Sequence, residues 1–237
     1  MISVKEAFSD DWKALLVPNC PIAFGVDPAT TENQTSNPTG FACVQKVGLD
    51  YIVRLACRWK TNDPDIARAL IKQAVTNLPH GLKPRRLVVD ASNERYFASD
   101  LRKFLRGVCM TELVSSTEKH RYQGEEMPMK VYLGNLLVNT MDDGHLLLPE
   151  SKWLSNDFRL VKRDRGSFTT ELDNAGGHGD VFDAVKNALH GLISRSGPVQ
   201  ISATNTGQHI SSGHAHNNYP MRPEDVRDDE TTERFAL

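Results

Sequence analysis

Four aspartates stand where their side chains could act together. Asp27 ends the apolar run IAFGVD, Asp90 ends RRLVVD, and Asp180 and Asp183 open the stretch DVFDAVKNALHGLI. Residues at i and i+3 share one face of a helix, and open α/β sheets collect ligands outside the carboxyl ends of their strands. If the last helix packs across that edge, all four carboxylates meet in one pocket. Like charges at contact distance repel strongly, so such a group needs cations between its members or raised pKa values. Hard oxygen donors favour Mg²⁺ or Mn²⁺. Two such ions roughly 3.5–4 Å apart can activate a water and stabilise the leaving oxygen in phosphodiester hydrolysis, with no nucleophilic Ser or Cys required. Taken singly, each aspartate has an ordinary use, as a turn former before Pro28 or as a helix cap. Their joint placement is harder to explain that way.

The elements that must position them are legible in outline. PIAFGVD, GFACVQKVG and YIVRLACRW read as three meandering antiparallel strands, the last two separated by Gly48-Leu49-Asp50. The segment TNDPDIARALIKQAVTNL predicts a helix capped by Asp63, with Pro64 in its first turn and Ile66, Leu70, Ala74 and Leu78 on one face. A strand at 83–90, a helix over about 93–106, a strand over about 110–114 and a helix over about 127–141 follow. GHLLLP and FRLVKRD then read as strands, the latter forming a hairpin with SFTTEL around Arg165-Gly166. Gly176-Gly177-His178-Gly179 breaks the chain before the final amphipathic helix. This is a mixed α/β sheet flanked by helices, the layout of the ribonuclease H-like fold, with the strand after the first helix parallel to the first strand and with an added β-hairpin.

The runs IAFGVDPA, RRLVVDAS and GGHGDVFDAVKNAL together resemble the nuclease domain of the large terminase subunit of tailed bacteriophages, over roughly residues 21–192. In that family a first strand ends in a metal-binding Asp, a later strand ends in Asp or Glu, and a segment of the type H-D-D-x-x-D-A opens the last helix. Here that segment is His178-Gly179-Asp180-Val181-Phe182-Asp183-Ala184, with Gly179 in place of the first Asp, which leaves open whether Asp180 or Asp183 is the main third ligand. The resemblance implies an endonuclease that cuts double-stranded viral DNA during packaging, using two Mg²⁺ or Mn²⁺ ions held by Asp27, Asp90, Asp180 and Asp183. It also implies a terminase ATPase domain, the portal and the small terminase subunit as partners, in the host cytoplasm. The chain carries no GxxxxGK[ST] phosphate loop. Residues 1–20 are expected to be a linker or N-terminal extension, 21–194 the ribonuclease H-like nuclease domain and 195–237 a C-terminal tail.

Basic side chains offer phosphate contacts near this edge. Lys162, Arg163 and Arg165 surround the expected hairpin turn, and terminase nucleases resemble this in carrying an added hairpin beside the active site. Lys119 and Arg121 in EKHRY form a second group, either of which could stabilise charge on the scissile phosphate, and Lys130 is a weaker candidate. His178 could ligate metal or orient water, Glu94 could be an outer carboxylate or a first-turn residue favouring the helix dipole, and His209, His214 and His216 could bind a soft metal.

Composition limits the remaining readings. The 237 residues carry 28 Lys+Arg and 30 Asp+Glu, a net charge of −2, so DNA is not held by bulk electrostatics. The last 43 residues hold four basic and six acidic side chains, which leaves the body before them balanced. No apolar run approaches the roughly 18 residues that span a bilayer, and no signal-peptide pattern opens the chain, so a cytosolic monomer is expected. Four cysteines without CxxC spacing suggest neither zinc nor disulfides. Competing readings are another ribonuclease H-like nuclease such as a resolvase, an actin- or sugar-kinase-like phosphotransferase suggested by GVDPATT, and a DNA-docking module with a degenerate site.

Overall fold

The computed structural model describes residues 10–30, 37–172 and 178–194. The tail from Arg195, with His209, His214 and His216, and the Gly176-Gly177 pair lie outside the described residues.

Strands β1 (Ile22–Asp27), β2 (Thr39–Val47) and β3 (Asp50–Trp59) form the antiparallel meander expected from the sequence. Helix α1 (Pro64–Val75) starts on Asp63, whose Oδ1 accepts from the Asp65 N–H at 2.8 Å. The chain returns as β4 (Pro84–Asp90), parallel to β1 with Phe24 beside Leu87 and Val26 beside Val89. Helix α2 (Arg95–Phe104) then leads to β5 (Thr111–Val114), parallel to β4. Next come a small hairpin of β6 (Lys119–Tyr122) and β7 (Glu125–Pro128), helix α3 (Met129–Asp142), the short strand β8 (Leu146–Leu147) and helix α4 (Lys152–Arg159). A second hairpin, β9 (Val161–Asp164) and β10 (Ser167–Thr170), precedes the last helix, α5 (Asp180–Ile193). The main sheet has the order β5-β4-β1-β2-β3-β8.

Period-two alternation along the strands divides the core. Phe24, Val26, Phe41, Leu87 and Val89 pack with α1 and α2 on one face, whereas Ala23, Ala42, Val44 and Val53 pack with α4 and α5 on the other. A 3-10 turn at Asp10–Leu15 closes the first face, where Trp12 meets Phe24 edge-on at 6.1 Å between ring centroids. On the second face α5 is a central helix: 12 of its 14 residues are buried between the sheet and the outer helices, so it has no solvated stripe. Each large apolar side chain it buries contributes roughly 1.5–3 kcal/mol.

Two glycines let α5 lie this close. A Cβ on Gly25 would sit 1.9 Å from the Ala184 carbonyl oxygen, and one on Gly40 would sit 2.1 Å from that of Asp180. Small residues on adjacent strands thus form the trough that receives the helix. Its far half is tied down by His190, whose Nε2 lies 3.2 Å from Glu112 and whose Nδ1 lies 3.3 Å from the Tyr132 hydroxyl. Glu112 also pairs with the buried Arg86. Among the described residues no helix is long and apolar enough to cross a membrane.

Two expectations shift. The buried stripe of α1 runs through Ala67, Ile71 and Ala74, while Ile66 is 47% exposed, because the helix docks about one residue out of the expected phase. Phe158 and Arg159 end helix α4 rather than begin a strand. Leu154 and Phe158, four residues apart, put one helical face into the core, and the strand starts only at Val161.

Candidate active site

Parallel pairing places Asp27 and Asp90 at the same end of neighbouring strands, and α5 begins across that end. Asp27, Asp90, Asp180 and Asp183 all line one cavity of about 410 Å³. The four carboxylates singled out from the sequence thus share one wall of the fold.

Each is held by a different device. Asp90 Oδ1 accepts two hydrogen bonds from Ser92, from its N–H at 2.8 Å and its hydroxyl at 2.5 Å, and the Ser92 hydroxyl oxygen accepts from the Ser116 N–H at 2.8 Å. That fixes the loops after β4 and β5 to one carboxylate. Asp27 is set by its strand, and burial together with the charges of Asp183 and Asp90 drives its carboxyl well above the usual range. Asp180 is almost fully enclosed and accepts from the His178 N–H at 3.4 Å. Burial, joined by the charges of Asp157 and Asp183, raises it to about 7.

The start of α5 is built by a residue the sequence did not disclose. Gly179 occupies the N-cap with φ +76° and has no side chain to offer the first turn. Asp157, from α4, replaces it: its Oδ2 accepts from the N–H groups of Val181 at 3.1 Å and Phe182 at 3.0 Å. Arg58 on β3 stands 3.6 Å from the other oxygen. The aspartate pair is thereby aimed by a cap donated from another helix. Burial still raises the Asp157 carboxyl, against the pull of those N–H donors and Arg58.

The second undisclosed residue is Lys186. One turn after Asp183 on α5, its ammonium lies 2.5 Å from Asp183 Oδ1, with the side chain only 7% exposed. Burial works against its charge. The paired Asp183, with Asp27 and Asp90 nearby, outweighs burial and keeps the ammonium charged. A D-x-x-K spacing on a helix was the available sign; which face would be buried was not.

The other predicted residues fall into two groups. His178, Glu94 and Lys130 line the cavity. Glu94 Oε1 accepts from the Thr30 hydroxyl at 2.9 Å and so pins the loop after β1 to the start of α2. Lys119, Arg121, Lys162, Arg163 and Arg165 are not among the lining residues. Lys162, Arg163 and Arg165 project from β9 and its turn, whose hairpin gives Val161, Phe168 and Thr170 to the cavity wall. Arg165 and Gly166 take φ +46° and +79° at that turn, as a tight two-residue hairpin requires. Lys162 pairs with Glu171 at 2.6 Å. Lys119 and Arg121 lie on β6, where Lys119 pairs with Glu126 at 2.6 Å; that hairpin is fastened to α3 by His120 stacked on Tyr132, ring centroids 4.0 Å apart.

The donor set suits a hard divalent cation. Four carboxylates line a single cavity, and the one ammonium of Lys186 offsets only part of their charge. Among the described residues no group of three His, Cys, Asp or Glu side chains is arranged to enclose an ion as it stands.

No protein-family model and no curated protein matches the sequence. Among solved structures the fold is that of terminase nuclease domains, a ribonuclease H-like sheet flanked by helices. The chain is similar to the nuclease domain of the large terminase subunit gp2 of bacterial virus Sf6, at TM-score 0.50 and 12% identity over 78% of this chain and 98% of that domain. It is similar also to the large terminase of the thermophilic bacteriophage D6E, at TM-score 0.52 and 14% identity over 78% of this chain and 43% of that protein. The chain thus spans less than half the length of the D6E protein. At these identities the likeness is one of fold.

Proposed function

We propose that this chain is a terminase-type endonuclease that cuts double-stranded viral DNA during genome packaging, using divalent metal. The observation that carries the reading is the convergence of Asp27, Asp90, Asp180 and Asp183 in one cavity at the carboxyl edge of the sheet. Asp27, Asp90, Asp183 and Asp180 would hold Mg²⁺ or Mn²⁺, two ions in the full site. When bound, such ions polarise the phosphodiester, generate a hydroxide nucleophile and stabilise the leaving oxygen.

The chain's own residues do the rest. Ser92 fixes the Asp90 carboxylate on the sheet, and Asp157 fixes the approach of α5, so two ligands ride on strands and two on a helix. Lys186 offsets part of the negative charge before metal arrives. Lys130, in the cavity wall, is placed to meet a phosphate oxygen. Lys162, Arg163 and Arg165 on the flanking hairpin would contact the DNA backbone, with Lys119 and Arg121 further out. A terminase ATPase domain, the portal and the small terminase subunit are the corresponding partners, in the host cytoplasm; alone the chain would be a monomer.

The test is plasmid cleavage by the purified chain. With Mn²⁺, supercoiled DNA should be nicked and linearised, while EDTA or Asp27→Asn should abolish the reaction. Supercoiled plasmid persisting at excess protein with Mn²⁺ present would overturn the proposal.

A further inference from the structure

At the opposite edge of the sheet lies a second cavity, of about 690 Å³. Five basic side chains line it: Lys83, Arg85, Arg102, Lys103 and Arg106. Among the described residues no acidic one lines it. In a body whose charges balance, Arg85, Arg102, Lys103 and Arg106, gathered without a carboxylate among the described residues, repel one another unless an anion joins them. Arg102 and Lys103 belong to the last turn of α2, where the helix dipole by itself favours cations. The dipole does not account for Arg85, which comes from the start of β4, or for Arg106, which lies beyond the helix.

The guanidinium of Arg85 is oriented by the fold, since its Nη2 donates to the Ser194 carbonyl at 2.9 Å. Three arginines in one cavity suit phosphate, which guanidinium groups bind with paired N–H donors. The exposed side chains of Val108 and Met110 add an apolar surface against which sugar can lie. Strand β4 runs from Pro84, in the wall of this cavity, to Asp90, about 20 Å along an extended strand, so the two cavities are separate sites.

We propose that this basic cavity is a second DNA contact, taking backbone phosphates of a duplex segment other than the one at the carboxylates. The choice of DNA as the polyanion rests on the nuclease reading above. The contact would grip DNA while the cleavage edge is empty of metal.

The test uses the full chain in EDTA with a fluorescent duplex of about three turns, followed by anisotropy across a salt series. Arg102→Glu/Arg106→Glu should bind roughly tenfold or more weakly, with the slope of log K against log salt shallower by about two. Its Mn²⁺-dependent plasmid cleavage at saturating protein should match the parent. Lys103→Glu, also exposed, serves as an independent variant should the double variant fail to fold. Unchanged affinity and slope in a folded variant would overturn the proposal. So would displacement of the duplex from the parent by ATP or inorganic phosphate at equal phosphate concentration, which would mark a small-anion site. Lost binding in the variant, with no cleavage by either protein, would support the contact while sinking the nuclease reading.

Discussion

Lys186 and Asp183 sit one helical turn apart on α5, ammonium to carboxylate at 2.5 Å, within a wall that also carries Asp27 and Asp90. A buried pair of this kind contributes little net stability by its own attraction. Its effect is to keep four aspartates compatible with folding before any metal binds. Part of the charge at the sheet edge is thus offset from inside the chain.

Removing that ammonium leaves Asp183 uncompensated beside two further carboxylates. Lys186→Met keeps the length of the side chain and should lower metal-free stability by about 3–5 kcal/mol. Mn²⁺ should restore more stability to the variant than to the parent. Urea denaturation with and without Mn²⁺ measures both; an equal response to metal in the two proteins would contradict this role.

Asp180 makes stability depend on pH with a definite sign. Its carboxyl is raised from 3.8 to about 7, mainly by burial. Between those values the folded state keeps a proton that the unfolded state releases, so the metal-free fold loses stability as pH rises through the window and the loss is complete above it. Asp180→Asn cannot ionise. It should match the parent near pH 3 and exceed it near pH 8 by at most about 4 kcal/mol. Melting curves in EDTA across this range would show a difference that opens with pH; a constant difference would contradict the sign.

The cap on α5 should be separable from the chemistry. Asp157→Ala leaves the Val181 and Phe182 N–H groups buried without their acceptor and Arg58 without its partner, a loss of about 1–3 kcal/mol. Cleavage should fall with stability, because Asp180 and Asp183 lose their aim. Asp157→Asn retains an acceptor oxygen and should recover part of both, as thermal melts beside a plasmid assay would reveal.

Gly25 tests how closely the site depends on packing. Alanine there drives a methyl group into the Ala184 carbonyl, one residue after Asp183. The helix must shift, and Gly25→Ala should cost at least the roughly 1–3 kcal/mol of core overpacking while weakening cleavage beyond what the folded fraction explains. Full specific activity in the folded fraction would show that the carboxylates tolerate a displaced helix.

Much of this was legible in the residues, and the reasons for what was not are physical. Asp27 and Asp90 could be read because they end apolar runs, and runs of that kind become strands whose ends define an edge. Asp180 and Asp183 could be read from their i, i+3 spacing. Lys186 escaped because α5 is buried nearly all round, polar residues included, so an amphipathic period does not say that this lysine turns inward. Asp157 escaped because α4 spans only eight residues, too few for a helical period to stand out against the neighbouring strand pattern. Lys119 and Arg121 stand on a hairpin fastened through His120 and Tyr132, a contact between side chains that no spacing encodes.

The position of α5 also sets an order in time. Asp27 and Asp90 are made before α5, the last element described, which must fill its trough before the four carboxylates share a wall. A chain still on the ribosome holds two aspartates at an open strand edge and nothing more. If the chain is the nuclease proposed above, cutting competence would arrive last, as a property of the finished fold, and a product ending before Asp180 would lack half of its carboxylates.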